Sequence, residues 1–526
     1  VHRYPLAVAS GLALWLAFPS HDLWIMAPIG VALLAMATRK ASAWQGALLG
    51  LISGLTCFLP LLSWSGVYVG TLPWVALAVL ESLYIALLGL ACALLQNGPS
   101  LAGAARVRPV VVALAWVAQE ALRDHIPFGG FPWVRLAFSQ ADSPLAALAS
   151  LGGAPGLTFG VALVGGLLAA GSVRLSSRAT ASSATIGGRI RARRIVASAA
   201  GPACIIACAI TVMLLPSLIP RPTDGPTGRF LAVQGNVPRP GLDFNAERRA
   251  VLDNHARVTR QAALSVAAGD RPRPDLVVWP ENASDIDPTR NPDAQAVIEA
   301  TVSSMGAPLI LGALLQEPQP KESNASLLYL PGRGLTSRYV KRHPVPFAEY
   351  IPYRSFFRKF NDKADLVGDF VAGKGVGVFR VPALSGRRGG TIAAGTIICF
   401  EVAYDGLMRD TVNDGANVLL VQTNNATFGF TDESVQQLAI SRVRAIEHGR
   451  SIVHVSTVGV SAMITPDGTA HQRSTLFTSA VLAADLPLRT DRTVADRLGP
   501  WPENLASAGV VTMLVLLSLR RLRRRQ

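Results

Sequence analysis

Five cysteines occur in 526 residues, and their distribution singles one of them out. Cys57, Cys92, Cys204 and Cys208 fall in long apolar stretches, whereas Cys399 is the only thiol of the polar remainder. Gly395-Thr-Ile-Ile-Cys399-Phe-Glu401 puts this thiol at the end of an apolar strand, and Val402 to Met408 reads as the start of a helix. A side chain at such a corner is presented at the sheet edge, beside helix N-terminal amides that favour a thiolate or a developing oxyanion. The chemistry would be nucleophilic catalysis, which needs a base and a charge stabiliser. His343, His448 and His454 are the histidines to weigh as base, and no His and Cys spacing of metal-binding type occurs. The alternative is a buried small hydrophobe, which is what most free cysteines are.

The elements that must position this thiol begin after a Pro-rich connector, Pro216 to Pro226. Arg229 to Gln234, Asp275 to Trp279, Ala307 to Leu314, Leu327 to Leu330, Thr391 to Ile398, Val418 to Gln422 and Ile452 to Ser456 read as buried strands. Helical patterns lie over Ala246 to Ala268 and near 291–303, 403–413 and 432–449. Strands alternating with helices over residues 219–500 predict a layered α/β enzyme domain, large enough for its own core.

The rest of the chain is of another kind. Half of all residues are hydrophobic and 16% charged, against a purely soluble protein. Apolar runs near 4–20, 23–38, 45–64, 71–96, 109–122, 154–172, 195–218 and 503–519 predict about eight transmembrane helices, seven in a membrane domain over 1–218 and one in 501–526. The first run resembles a signal peptide after Arg3, but no small-residue cleavage pattern ends it, and we expect it to be retained. Basic residues collect in alternate loops: Arg3; Arg39 and Lys40; Arg106 and Arg108; Arg174, Arg178, Arg189, Arg191, Arg193 and Arg194; and Arg520, Arg521, Arg523, Arg524 and Arg525. These segments hold 16 of the 49 basic residues and no Asp or Glu, so the remainder carries 33 basic against 34 acidic. The net charge of +15 is therefore a topology signal. It puts both termini in the cytoplasm and the α/β domain outside it. With no basic and aromatic groove along a soluble face, nucleic acid is excluded as a partner. Glu81, inside the fourth run, is costly there and either pairs locally or faces a hydrated cavity.

Three short motifs then come in order: Val278-Trp279-Pro280-Glu281, Tyr339-Val340-Lys341 and Ile398-Cys399-Phe400-Glu401. They resemble the Glu-Lys-Cys triad of the nitrilase, or carbon-nitrogen hydrolase, superfamily. With apolar spans on both sides, the whole chain resembles the apolipoprotein N-acyltransferases. Gly130-Phe-Pro-Trp133, Gln234-Gly-Asn236 and the run from Lys341 through Val345-Pro-Phe347 to Glu349-Tyr350-Ile-Pro352 carry the similarity further.

The resemblance implies an αββα sandwich on the outer face of a bacterial inner membrane, without cofactor or metal. It implies Glu281 as general base, Lys341 as oxyanion stabiliser, Cys399 as nucleophile, and Glu349, Glu401, Asn324 and Asn425 in support. The implied reaction passes an acyl chain from a phospholipid, through a thioester on Cys399, to the α-amino group of a diacylglyceryl-modified N-terminal cysteine of a lipoprotein. A carboxylate near 4.3 is a poor base for a thiol near 8.5 unless burial raises it and Lys341 favours thiolate. Glu281 could instead cap a loop, and Lys341 be a solvated strand residue. Against the latter, the chain has only six lysines and 43 arginines. Phe347, Tyr350, Tyr353, Phe356, Phe357 and Phe360, interleaved with Arg354, Arg358 and Lys359, suit either an interfacial arm or a partly buried loop. Trp133 is expected at the lipid access, and Trp64 and Trp74 in the aromatic belt.

Departures from the pattern concern the donor: Asn425 and Thr427 stand where the best-known enterobacterial members carry Asp and Trp, and Ser323 precedes Asn324 where Tyr is common. The Arg-heavy, Ala-rich composition suits an actinobacterium, in which a polyprenol-phosphate mannose synthase is an expected partner. Two other readings stay open, a membrane-tethered nitrilase-type amidase and a non-enzymatic membrane scaffold.

Overall fold

The apolar stretches at the front of the chain fold as helices, and the polar remainder as two sheets. The structure is a computed structural model that describes residues 2–96, 107–183, 191–237, 248–359, 367–383 and 390–523, with backbone alone over 177–183 and 191–200. Arg106, Phe360, Arg189, Arg524, Arg525 and the first residues of the helix expected from Ala246 lie outside the described residues, as do the side chains of Arg178, Arg191, Arg193 and Arg194. The chain divides into two units, Val1–Ser63 with Thr71–Pro220 and Leu498–Gln526, and Trp64–Gly70 with Arg221–Arg497.

The first unit contains α1 (Arg3–Ala17), α2 (Met26–Thr38), α3 (Ala43–Leu61), α4 (Thr71–Gln96), α5 (Pro109–Arg123), α6 (Ala149–Ser183), α7 (Arg191–Leu214) and the last helix, Trp501–Arg523. Among the described residues, five segments are long and apolar enough to cross a membrane: Ala43–Leu61, Thr71–Gln96, Pro144–Ser176, Gly201–Leu218 and Trp501–Arg523. The remaining expected spans are shorter. α1 and α5 have 15 residues and α2 has 13, which at about 1.5 Å per residue falls short of a core of roughly 30 Å. Pro19 is one cause, since Phe18 before it is extended and ends α1.

Small residues set the packing of α3 on α4. A Cβ on Gly46 would lie 2.5 Å from Gly89 O, and one on Gly50 would lie 2.1 Å from Ile85 O, so the backbones touch as in membrane helix pairs. A buried ionic cluster joins α4, α5 and the last helix. Glu81 pairs with Arg123 at 3.5 Å, Arg135 with Asp124 at 3.2 Å and Glu120 at 3.5 Å, and Glu503 lies 3.9 Å from Arg135. Of the two possibilities for Glu81, local pairing is the one found. Trp133 is buried in the core of this unit.

The second unit contains β1 (Thr227–Gln234), α8 (Arg248–Ala267), β2 (Leu276–Val278), α9 (Pro292–Met305), β3 (Leu309–Leu315), β4 (Ser323–Leu330), β5 (Gly334–Val340) and α10 (Arg354–Phe357). It continues with β6 (Val378–Ala383), β7 (Gly390–Ile398), α11 (Asp405–Asn413), β8 (Val418–Thr423), α12 (Glu433–His448), β9 (Ser451–Ser456), β10 (Ala462–Ile464), β11 (Ala470–His471), β12 (Ala480–Pro487) and α13 (Val494–Leu498). The sheets run β12-β1-β2-β3-β4-β5 and β11-β10-β9-β8-β7-β6. Their centres are parallel, β1-β2-β3 in one and β7-β8-β9 in the other, which is why those strands are apolar on both faces.

Alternation along β1 shows the layers. Phe230 and Ala232 join Val278, Ile392, Leu420 and Val453 in a core between the sheets, while Leu231 and Val233 join Val277, Trp279 and the apolar face of α8 and α9. Helices outside two face-to-face sheets make an αββα sandwich. Trp64, expected in the membrane belt, is instead buried in this unit, with Nε1 donating to Gln436 Oε1 at 3.2 Å and its ring edge-on to Phe428.

Candidate active site

Three strand ends supply the three motif residues. Glu281 follows β2, Lys341 follows β5 and Cys399 follows β7. β2 and β5 belong to one sheet and β7 to the other. Face-to-face packing is therefore what brings Cys399 to Glu281 and Lys341, which stand 118 and 58 positions earlier in the chain.

Glu281 and Lys341 are almost fully buried, at 5% and 1% exposure. Lys341 Nζ donates to Glu281 Oε1 at 3.2 Å and to Glu349 Oε1 at 3.0 Å. Asn324 Nδ2, on β4, donates to the same two oxygens at 2.7 and 3.0 Å. Glu281 Oε2 accepts from Asn424 N at 2.9 Å, and Glu349 Oε2 from Val345 N at 2.7 Å. Burial pushes the Glu281 carboxyl above the usual carboxylate range against the pull of Lys341, and Glu349 adds to the rise. Burial alone would lower the Lys341 ammonium, but Glu281 and Glu349 hold it well above its ordinary value. Gly312 on β3 makes room for Glu281, since a Cβ there would lie 2.6 Å from Glu281 Cα.

Cys399 has φ +53°, a left-handed conformation uncommon for a residue with a side chain. Its sulfur is near Thr423 Oγ1 at 3.5 Å and Gln437 Nε2 at 3.7 Å. Burial and Glu281 push the thiol up, while Lys341 pulls it down. The turn after it, Cys399–Ala403, is 3-10, and α11 starts only at Asp405. The expected helix N-terminus beside the thiol is thus displaced by a tight turn, closed by Glu401 Oε2 accepting from Ile398 N at 2.8 Å. Glu401 Oε1 also accepts from Tyr339 Oη, Arg342 N and His343 N at 2.9, 2.7 and 3.1 Å. This fully buried carboxylate ties the end of β5, and so Lys341, to the cysteine corner.

Asn425 stands apart from Glu281 and Lys341, its amide donating to Glu433 Oε2 at 2.6 Å and Gln437 Oε1 at 3.0 Å. The three histidines are engaged elsewhere: His343 stacks on Tyr404, His448 binds Asp496 and His454 binds Ser441. Phe347, Tyr353 and Phe356 are exposed, and Phe357 meets Phe347 and Phe356 edge-on. Tyr350 is half-buried, and its carbonyl accepts from Phe347 N at 2.7 Å. Sequence reasoning reached Thr423 only as the first residue of a loop, Thr423 to Gly429, that matches a site loop in outline, and passed over Glu433 and Gln437. The available signal was the i, i+4 spacing of Glu433 and Gln437 on the helix that follows the Asn424-Asn425 loop.

An αββα sandwich with a buried carboxylate, an ammonium and a strand-end thiol defines a carbon-nitrogen hydrolase. Residues 232–496 match the carbon-nitrogen hydrolase family model, and residues 10–167 match the N-terminal domain of apolipoprotein N-acyltransferase. The chain is 38% identical to the apolipoprotein N-acyltransferase of Mycolicibacterium smegmatis, over 97% of this chain and 84% of that one. It is 26% identical to that of Photobacterium profundum, over 99% and 96%. A solved structure of a Nesterenkonia amidase of the nitrilase superfamily aligns over 51% of this chain and 93% of its own, with 17% identity and a TM-score of 0.37. The chain belongs to the apolipoprotein N-acyltransferase family.

Proposed function

We propose that this protein transfers an acyl chain from a membrane phospholipid to the α-amino group of a diacylglyceryl-modified N-terminal cysteine. Cys399 attacks the phospholipid ester, Glu281 takes the thiol proton, and Lys341 stabilises the tetrahedral oxyanion. Collapse breaks the C–O bond, Glu281 gives its proton to the departing alkoxide, and a lysophospholipid leaves with a thioester remaining on Cys399 and Glu281 again ionised. The amine then attacks, forming the amide and returning the sulfur. A carboxyl raised by burial is better matched to a thiol proton than a solvated one, and a compact ammonium suits a small oxyanion site. Glu349 and Asn324 keep both groups in place; Glu401 fixes the corner.

The observation that carries this reading is the buried Glu281–Lys341 pair at the strand ends that also carry Cys399, in a chain aligned over nearly its whole length with lipoprotein acyltransferases. A tethered amidase leaves the matched N-terminal domain without a role. The arrangement of basic loops supports eight spans in a bacterial inner membrane, both termini cytoplasmic and residues 219–500 outside. Phe347, Tyr350, Phe356 and Phe357 are assigned to lipid access, whereas Trp133, buried in the core of the first unit, packs there instead. The test is N-acylation of a diacylglyceryl-cysteinyl peptide in phospholipid micelles. A mass gain of one acyl chain that Cys399→Ala abolishes is expected, and an unmodified peptide with folded wild-type protein refutes the proposal.

A further inference from the structure

Beneath Cys399 lies a polar chain whose direction is fixed from one end to the other. Gly459 N and Val458 N donate to Ser456 Oγ at 2.7 and 3.3 Å, so the Ser456 hydroxyl gives its own proton to Asn425 Oδ1, 2.5 Å away. That settles the Asn425 amide, whose nitrogen donates to Glu433 Oε2 and to Gln437 Oε1. Gln437 Oε1 also takes the Thr423 hydroxyl proton at 2.7 Å. With its oxygen doubly engaged, Gln437 must turn Nε2 toward the sulfur, 3.7 Å away. Thr423 has a single proton, and the shorter bond to Gln437 holds it, so its oxygen is left to accept from the thiol. All five side chains are at least nine-tenths buried.

We propose that Gln437 is a further catalytic residue, donating a hydrogen bond to the Cys399 sulfur whenever that sulfur is anionic, and that Asn425 and Glu433 are positioning residues that hold it in the donating orientation. The inference rests on Cys399 being the nucleophile proposed above. Negative sulfur arises twice: when Glu281 takes the thiol proton, and when the amine attacks the thioester. In the second event the C–N bond forms, the C–S bond breaks with its electron pair going to sulfur, and the amine proton passes to Glu281. The same chain accounts for an amide at position 425. A carboxylate there would face Glu433 at 2.6 Å and draw the Gln437 amide nitrogen away from sulfur.

The test is the pH profile of Cys399 alkylation by iodoacetamide, followed on its peptide by mass spectrometry, in full-length protein in detergent. The charged groups acting on the thiol are Glu281 after β2, Lys341 after β5 and Glu433 on α12, and all are unchanged in Gln437→Met. Gln437→Met is expected to move the profile up by about one unit and to slow amine attack on preformed acyl-enzyme about tenfold, with the high-pH alkylation limit retained. Gln437→Glu, which keeps shape but turns an acceptor to the sulfur, shifts it further. Asn425→Asp, which leaves the donor present but misdirected, shifts it in the same direction. Profiles that superimpose on the wild type in these variants overturn the inference. A wild type that alkylates normally but never becomes acylated refutes instead the acyltransfer reading.

Discussion

Lys341 Nζ lies 3.2 Å from Glu281 Oε1 and 3.0 Å from a Glu349 oxygen, one ammonium between two carboxylates in a nearly water-free site. The group stays charged because two anions outweigh the burial that opposes it. Removing the ammonium leaves the buried Glu281 and the partly buried Glu349 carboxylates with Asn324 as their shared donor.

Lys341→Met should therefore cost about 3–5 kcal/mol of stability at pH 7, because uncompensated buried charge is worse than none. Acylation should fall by about 10²–10³ as the oxyanion loses its donor. Thermal melts and single-turnover acylation check both. Lys341→Arg should restore charge without activity, since a planar fork does not fit a site shaped for a point charge.

Glu433 is pushed up to about 8, chiefly by burial, with Asn425 lowering it and Glu281 raising it. Its folded value lies above the unfolded one, so the native state binds more protons between about 4.5 and 8. Its contribution to stability is full below pH 4.5 and is lost as pH rises through 8. Glu433→Gln should raise the melting temperature at pH 8 and leave it nearly unchanged at pH 4.5. A difference independent of pH contradicts this assignment.

Glu401 is a clamp between β5 and the cysteine corner, with no hydrogen bond to Lys341 or Cys399. Glu401→Ala should destabilise the domain by about 3 kcal/mol, as several backbone donors lose a buried carboxylate. Glu401→Gln should lower the acylation rate while the midpoints of its pH profile stay in place. A moved midpoint would make Glu401 a proton carrier instead.

Phe347 and, on α10, Phe356 expose apolar rings on either side in sequence of Glu349, which binds Lys341. Replacing both by Ser should raise KM for micellar phospholipid about tenfold or more, given about 1.5–3 kcal/mol per buried ring, with kcat little changed. Activity on a water-soluble short-chain ester should not respond. Equal losses on both substrates would place the rings in folding rather than in lipid capture.

The legible part of this molecule is the part with strong local signals. Leu276 to Val278 and Val418 to Val421 are continuous apolar runs that only a doubly covered strand explains, and a thiol ending such a run stands out. β5 was missed because Gly334 to Val340 is an edge strand, half exposed and polar, although Lys341 hangs from its end. The corner after Cys399 looked like the first turn of a helix, whereas Glu401 folds back on Ile398 N and delays the helix to Asp405. Gln437 carried only a weak local signal, its i, i+4 spacing from Glu433, because a glutamine four residues after a glutamate is ordinary in any helix. Only the packing of α12 across the end of β8 brings it to the sulfur.

The most direct test of the account is the intact mass of wild-type protein and Cys399→Ala after incubation with phospholipid in micelles, without acceptor. The account predicts an adduct of one acyl chain on the wild type alone, removed by hydroxylamine as a thioester is. No adduct on folded wild-type protein across several headgroups, or an equal adduct on Cys399→Ala, would contradict it.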